Sequence, residues 1–429
     1  MSLKRVLVVG SGAREHAIGW KLLQSPKVSQ VIFCPGNDYL RSNESGESIL
    51  FWKKSESLEA LAKKAKEESV DLAIVGPDNE IADGLCDLMR EEGTLCFGPS
   101  RRAAQIESSK VFAKQVMEAA GVDFAQYQMF TESAEAVAYL DSISPPFVVK
   151  ADGLAFGKGV TITSSKDEAK EAVFQFLKEH DQILIEEFLE GEELSWMGFC
   201  SGKTVSLLES ARDYKRLHED DLGPNTGGMG SYSPVTEYQR PEFFERVSKR
   251  IFEPVLEEMD RQGVPFQGLL YAGLMINPKT DRLSVLEFNA RWGDPEAQVL
   301  LPRMKDDLYS WCEAVARDDL ESMPRKVSFH DASACYVVAA APGYPEHPKK
   351  GIQIRGLDER IFMNSNPSFF LAGVGVEQAK PVVSGGRVLG ALGVDSTLQE
   401  ARQKAYQSLS EIEFEGMQFR KDIGGRSVD

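Results

Sequence analysis

The sequence predicts a multidomain protein of mixed α/β and α+β class. It should have an N-terminal parallel α/β sheet, a central region with a small lid, and a C-terminal α+β unit. Three observations predict this. Strand-like and helix-like segments alternate over the first hundred residues, which implies parallel strands joined by right-handed crossovers. Glycine-rich loops carrying charged residues gather in the middle of the chain. The last hundred residues resume a strand pattern around a Pro-Gly-Tyr-Pro break at 342–345. At 429 residues the chain is longer than one hydrophobic core supports, so two to four packed units are expected.

The elements read as follows. Residues 5–9 form an apolar strand, 13–23 a helix, and 28–34 a strand closed by Pro35-Gly36. A Lys/Glu-rich helix over 57–68 leads to a strand at 71–75, a helix at 81–92 and a short strand at 95–97. A helix over 110–120 ends at Gly121, a C-cap residue. The segment from about 123 to 190 has strands at 147–150, 160–163 and 183–188 and a helix at 166–179, enough for a lid. Strands at 193–200 and 204–209, a polar loop over 211–234, a helix over 241–262, and strands at 269–276 and 283–288 complete the middle. The end reads as strands at 333–340, 369–371 and 387–394 and a helix over 397–410.

The formal net charge of −17 argues against nucleic acid or an anionic membrane as a general partner. The six cysteines have neither C-x-x-C pairing nor zinc-like spacing and read as buried thiols. The start, MSLKRVLVVGSG, meets its first glycine too early for a signal peptide, and no run is long and apolar enough to span a bilayer. A cytoplasmic monomer is expected.

Four segments carry chemistry. At 6–17, a strand, a glycine turn and a helix start offer backbone N–H groups to an anion. Glu15 occupies the third glycine position of a dinucleotide fingerprint, which disfavours NAD. A single phosphate at Gly10, Gly12 and Arg14, or a plain tight turn, both fit. At 146–160, Lys150 ends an apolar strand, where a lone ammonium is costly to bury. Gly153, Gly157, Lys158 and Gly159 follow in a loop suited to closing over a triphosphate, or else to forming a hairpin with a solvated lysine. At 183–195 a strand runs into Glu186, Glu187, Leu189 and Glu193, which suits an adenosine or a wet surface.

The strongest signal is VLEFNARWGDPE at 285–296. If residues 283–291 are extended, Leu286, Phe288 and Ala290 face the core while Glu287, Asn289 and Arg291 share the other face. Two oxygen ligands at i and i+2 suit a Mg²⁺ that keeps its other positions for phosphates and water. Arg291 is then placed to meet a transferring phosphoryl group. The loop 211–234 brings Asp213 for an amine or water, Lys215 and Arg216 for an acyl phosphate, and a glycine-rich run that permits close approach to a ligand.

Taken together these motifs resemble the ATP-grasp enzymes and, more narrowly, the phosphoribosylamine–glycine ligase family. The resemblance runs over essentially the whole chain. Its landmarks are GSGAREHA at 10–17, VGPDNE at 75–80, ESSK at 107–110, KADGLAFGKG at 150–159, EEFLEGEE at 186–193, GPNTGGMGSYSP at 223–234, LYAGLM at 270–275, EFNARWGDPE at 287–296 and GGRVL at 385–389. It implies a pre-ATP-grasp domain over 1–104, an ATP-grasp domain over 105–328 with a lid at about 123–190, and a C-terminal domain over 329–429. It also implies a reaction in which ATP, glycine and 5-phosphoribosylamine give glycinamide ribonucleotide, ADP and phosphate through glycyl phosphate, with Mg²⁺ or Mn²⁺.

By the same resemblance Lys110 and Lys150, with Gly153 and Lys158, contact the ATP phosphates. Glu186, Glu187, Leu189 and Glu193 contact the adenosine, and Glu287 and Asn289 bind metal. Arg291, Asp213 and Lys215 serve the transfer step. Gly10, Gly12, Arg14, Glu15, Asn37 and Asp78 line the amine side, and Asn225, Thr226 and Gly227 of the glycine-rich loop bind substrate. Phe156, Ala290 and Trp292 depart from the family pattern without removing a charged ligand, and Ala13 stands where a glycine is usual. Asp78 stands where a glutamate is usual, which withdraws the carboxylate on the amine side by about one C–C bond length. Competing readings are another ATP-grasp ligase, an inactive nucleotide-binding descendant, and a dehydrogenase. Mg-ATP binding without NAD binding separates the last.

Overall fold

A computed structural model describes residues 3–154, 159–357 and 367–425. Lys158, expected at the triphosphate, lies outside the described residues.

The first unit is a five-stranded, wholly parallel sheet. Its strands lie in the order Ile49–Phe51, Val28–Pro35, Lys4–Gly10, Leu72–Val75, Leu95–Phe97. The residues of Lys4–Gly10 from Val6 onward are buried, as a strand covered on both faces must be. The carboxyl ends of Lys4–Gly10 and Leu72–Val75 lie side by side where the strand order reverses, the place where open sheets of this kind bind ligands. The expected helix over 81–92 is two helices, Asp78–Ala82 and Leu85–Glu91, parted at Gly84.

The lid is a four-stranded antiparallel sheet ordered Tyr127–Phe130, Ile183–Glu186, Phe147–Ala151, Val160–Thr163. Helices Ser133–Ser142 and Lys166–Glu179 supply Ala136, Leu140, Ala169, Val173 and Phe176 to its apolar core. Opposite stands a second antiparallel sheet ordered Thr204–Leu207, Glu192–Ser201, Gln267–Asn277, Arg282–Asn289. The helix Lys110–Ala120 starts beside the lid, because Asp152 accepts from the Lys110 N–H at 2.6 Å and the Val111 N–H at 3.3 Å. Those are orphan donors of a helix N-terminus, and the carboxylate also opposes the helix dipole favourably. The expected helix over 241–262 is interrupted by a wider π turn at Ser248–Phe252, just before Pro254.

The C-terminal sheet crosses the expected boundary at residue 329. Its order is Arg212–Asp213, Gly230–Ser233, Ser333–Ala340, Arg387–Asp395, Phe369–Leu371. Two of its five strands come from the 211–234 segment, so Asp213 sits on a sheet edge, not on a free loop. Among the described residues no helix is long and apolar enough to cross a membrane.

Candidate active site

The lid and the central sheet face each other across a cavity of about 560 Å³ lined by Lys110, Lys150, Glu186, Glu287 and Arg291 among others. Lys150 is the last residue but one of the strand Phe147–Ala151 and is buried. Its Nζ lies 2.8 Å from Glu186 Oε2 and donates to the Leu286 carbonyl at 3.4 Å. The lid lysine therefore touches the strand that carries Glu287. On the other side of Glu186, Lys114 Nζ lies 3.2 Å from Oε1. Two buried ammonium groups share one carboxylate, which leaves net positive charge at the wall of the cavity. Such an arrangement favours a polyanion. Lys110 adds a third cation, its Nζ donating to the Gly153 carbonyl at 2.9 Å.

Burial lowers the Lys114 ammonium to about 8, against the opposing pull of Glu186. Lys114 is thus charged below that pH and loses its proton as pH rises through it. If the cavity takes the triphosphate that the resemblance implies, its affinity, read by equilibrium titration, is expected to weaken above about pH 8 for this reason. In Lys114→Met that alkaline limb should vanish. A profile with the same limb in the variant would assign it elsewhere.

Glu287 and Asn289 both line the cavity. Lys215 Nζ lies 2.5 Å from Glu193 Oε1 and 3.3 Å from Glu287 Oε1, so one ammonium bridges two carboxylates. Lys215 chiefly, with Lys150 and Lys110, holds the Glu287 carboxyl down to about 2, so it is ionised at any working pH. Asn289 Nδ2 donates to Glu107 Oε1 at 2.8 Å. That contact commits the amide nitrogen, so Oδ1 is the Asn289 atom that could hold a metal. Among the described residues no cluster of three or more acidic, His or Cys side chains could cage a metal ion alone. An ionised glutamate plus an amide oxygen fits a hard cation whose remaining positions go to phosphate and water.

The strand Arg282–Asn289 ends two residues short of Arg291, and its register shifts at Leu286. Phe288 and Ala290 are core residues as expected. Leu286 is not: the bulge turns it to the cavity, where it is half-buried. Arg291 still reaches the shared cavity. Its Nη2 lies 2.8 Å from Glu107 Oε1 and 3.8 Å from Asp78 Oδ2, and Nη1 donates to the Trp292 carbonyl. Glu107 thus takes Asn289, Arg291 and the Ala290 N–H together.

Asp213 and Glu296 form an acidic pair. Burial first, then the neighbouring Glu296 charge, pushes the Asp213 carboxyl well up, and burial raises Glu296 as well. Asp213 Oδ1 has no hydrogen-bond partner among the described residues. Glu296 Oε1 accepts from Ser195 Oγ at 2.8 Å, and Ser195 Oγ lies 3.0 Å from Tyr271 OH. Two neighbouring carboxyl groups favour a cation beside them, and the Lys215 ammonium already acts on both. Asn225, Thr226 and Gly227 also line the cavity, and Thr226 bonds back to the Lys215 carbonyl through both its N–H and its hydroxyl.

Other expected positions serve differently. Glu186 is committed to Lys114 and Lys150, and Glu187 is exposed and paired with Arg282 at 3.1 Å, although both line the cavity with Leu189 and Glu193. Of the expected amine-side group, Asp78 lines the cavity, whereas Gly10, Gly12, Arg14, Glu15 and Asn37 do not. The Gly12 N–H donates to Glu15 Oε2 at 2.7 Å, and Arg14 Nε donates to Glu15 Oε1 at 2.7 Å. The anion held by this loop is the protein's own carboxylate. Asn37 caps the helix Asp38–Asn43 and donates to the Ala372 carbonyl at 2.8 Å, tying the N-terminal unit to the C-terminal one. Sequence reasoning passed over Glu107, Lys114, Glu296 and Arg387. Lys114 had a usable signal, since it follows Lys110 by four residues and so shares its helix face.

Three family models match: the phosphoribosylglycinamide synthetase N domain over residues 4–107, its ATP-grasp (A) domain over 108–297 and its C domain over 334–426. The chain is 41% identical to a phosphoribosylamine–glycine ligase of Ralstonia nicotianae, with 99% of each chain covered. It is 40% identical to the trifunctional purine biosynthetic protein adenosine-3 of Gallus gallus, covering 99% of this chain but 42% of that protein. The crystal structure of phosphoribosylamine–glycine ligase from Thermotoga maritima superposes with a TM-score of 0.81 at 34% identity, covering 97% of this chain and 99% of that one.

Proposed function

Since the chain belongs to the phosphoribosylglycinamide synthetase family, we propose a working assignment of its cavity to the family's reaction. The enzyme is an ATP-dependent ligase that joins glycine to 5-phosphoribosylamine in purine biosynthesis. The observation that carries the assignment is the contact between Lys150 and the Leu286 carbonyl. It puts the lid's cation beside the strand of Glu287 in one cavity.

In this reading Lys110, Lys114 and Lys150 neutralise the ATP phosphates. Leu189 and the main chain near Glu187 border the adenosine. Glu287 and Asn289 hold Mg²⁺ or Mn²⁺, which when bound neutralises phosphate charge. Asp213 and Glu296 hold the glycine ammonium, leaving its carboxylate toward Lys215 and Arg291. A carboxylate oxygen attacks the γ-phosphorus, the bond to ADP breaks, and glycyl phosphate forms. The nitrogen of phosphoribosylamine then attacks the acyl carbon, phosphate leaves, and one proton is released. Arg291 meets the charge on the transferring group, with Glu107 holding its guanidinium in place. Asp78, which lies beside Arg291 at the end of the parallel sheet, is the amine-side residue of this cavity. Gly10, Gly12, Arg14 and Glu15 act one layer behind it.

Coupled ADP release with freshly generated phosphoribosylamine tests the reading. Turnover should require ATP, glycine and the amine together. Sustained ADP release without glycine would contradict it.

A further inference from the structure

We propose that Tyr344 and Arg387 of the C-terminal domain are positioning residues for glycine, acting through the Gly227 peptide. The inference rests on the assignment of Asp213 and Glu296 to the glycine ammonium. Neither Tyr344 nor Arg387 is among the residues lining the cavity, so any effect on the substrate is indirect.

Both polar groups of Gly227 are held from the C-terminal side. Its N–H donates to Tyr344 OH at 3.0 Å, and its carbonyl accepts from Arg387 Nη1 at 2.6 Å. The next residue, Gly228, has φ +105°, and a Cβ there would fall 2.8 Å from Asp213 Oδ1 and 2.5 Å from Pro295 Cδ. The backbone of Gly228 therefore walls the Asp213 carboxylate, at a dihedral that only a held glycine peptide keeps. The same guanidinium reaches Asp294, with Nη1 at 3.3 Å from its carbonyl and Nη2 at 2.8 Å from Oδ2. Asp294 begins the turn that carries Glu296, and Ser231 Oγ closes this turn by donating to the Pro295 carbonyl at 2.7 Å.

One arginine thus joins the turn beside Asp213 to the turn bearing Glu296 and sets the spacing of the two carboxylates. Only a planar, forked donor can serve both turns at once. The clamp also explains GGRVL at 385–389: a Cβ on Gly386 would lie 2.4 Å from the Tyr344 ring. The C-terminal domain supplies no group that touches substrate in this account, yet it fixes the geometry of the groups that do.

Tyr344→Phe and Arg387→Lys in the full chain test the clamp. Tyr344→Phe keeps the ring over Gly386 and removes only the acceptor, so its folding is not at risk. KM for glycine is expected to rise about fivefold in Tyr344→Phe, the size of one lost neutral hydrogen bond. It should rise by about tenfold or more in Arg387→Lys, where a forked charged contact is lost. Mg-ATP affinity, measured by direct binding, should stay within about twofold, the scatter allowed to an uninvolved site. Glycine KM values matching the unmodified enzyme would overturn the proposal, as would a parallel loss of ATP affinity. If the unmodified chain makes no glycinamide ribonucleotide, the underlying assignment fails; if it does and the variants match it, the clamp alone fails.

Discussion

Glu287→Ala should lower kcat by about a thousandfold, in the range for losing a group that neutralises transferring phosphate. The fold should survive. Glu287 is half-buried on the cavity side of its strand, and its partner Lys215 keeps Glu193 at 2.5 Å. An ion pair this open contributes about 1 kcal/mol or less to stability. The core packing of this strand comes from Val285 and Phe288, which the substitution leaves alone. Steady-state rates at varied Mg²⁺, beside a thermal melt, check both halves. Glu287→Gln isolates charge from shape, since the amide still accepts from Lys215; it should retain more activity than the alanine variant and less than the parent. Near-normal turnover in Glu287→Ala would remove the metal assignment.

Arg291→Lys is the second large effect, about a hundredfold in kcat, comparable to losing one donor aimed at developing charge. The guanidinium spreads its bonds over Glu107 and the Trp292 carbonyl while lining the cavity. An ammonium makes one of these contacts and surrenders the rest. Burial raises the Glu107 carboxyl, with Arg291 the main opposing influence. A displaced charge at 291 therefore also loosens the anchor of Asn289. ATP affinity should hold while the rate of ADP formation falls, because the interaction matures only in the transition state. Equilibrium binding and single-turnover kinetics separate the two. A fall confined to affinity would place Arg291 in ground-state binding.

How far the sequence could be read follows the range of the interactions. The helices Lys110–Ala120 and Lys166–Glu179 and the strand Val160–Thr163 have the bounds expected of them; Gly121 closes the first helix, and the structure shows Ser165 capping the start of the second. The parallel sheet was legible because alternation is a local pattern. The segment 211–234 was read as a loop, yet it holds four short strands. Their partners are remote: Ser231 pairs with Tyr336, far along the chain, and no periodicity encodes that. Glu287, Asn289 and Arg291 could be named from their spacing. Glu107 could not be given its role, since its bond to Asn289 spans 182 residues. The bulge at Leu286 also escaped, because an extended segment and a bulged one share the same letters. Gly10 and Gly12 read either as an anion nest or as a plain tight turn; that Glu15 fills the turn needed the helix geometry.

In the proposed reaction the glycine carboxylate is phosphorylated before the amine attacks. Turnover with glycine labelled by oxygen-18 in its carboxylate tests this most directly. Attack through a carboxylate oxygen must hand one labelled atom to the phosphate released, with the other kept in the new amide. Labelled inorganic phosphate, read by mass spectrometry, is the expected result. Phosphate free of label, released in step with glycinamide ribonucleotide, would contradict the mechanism.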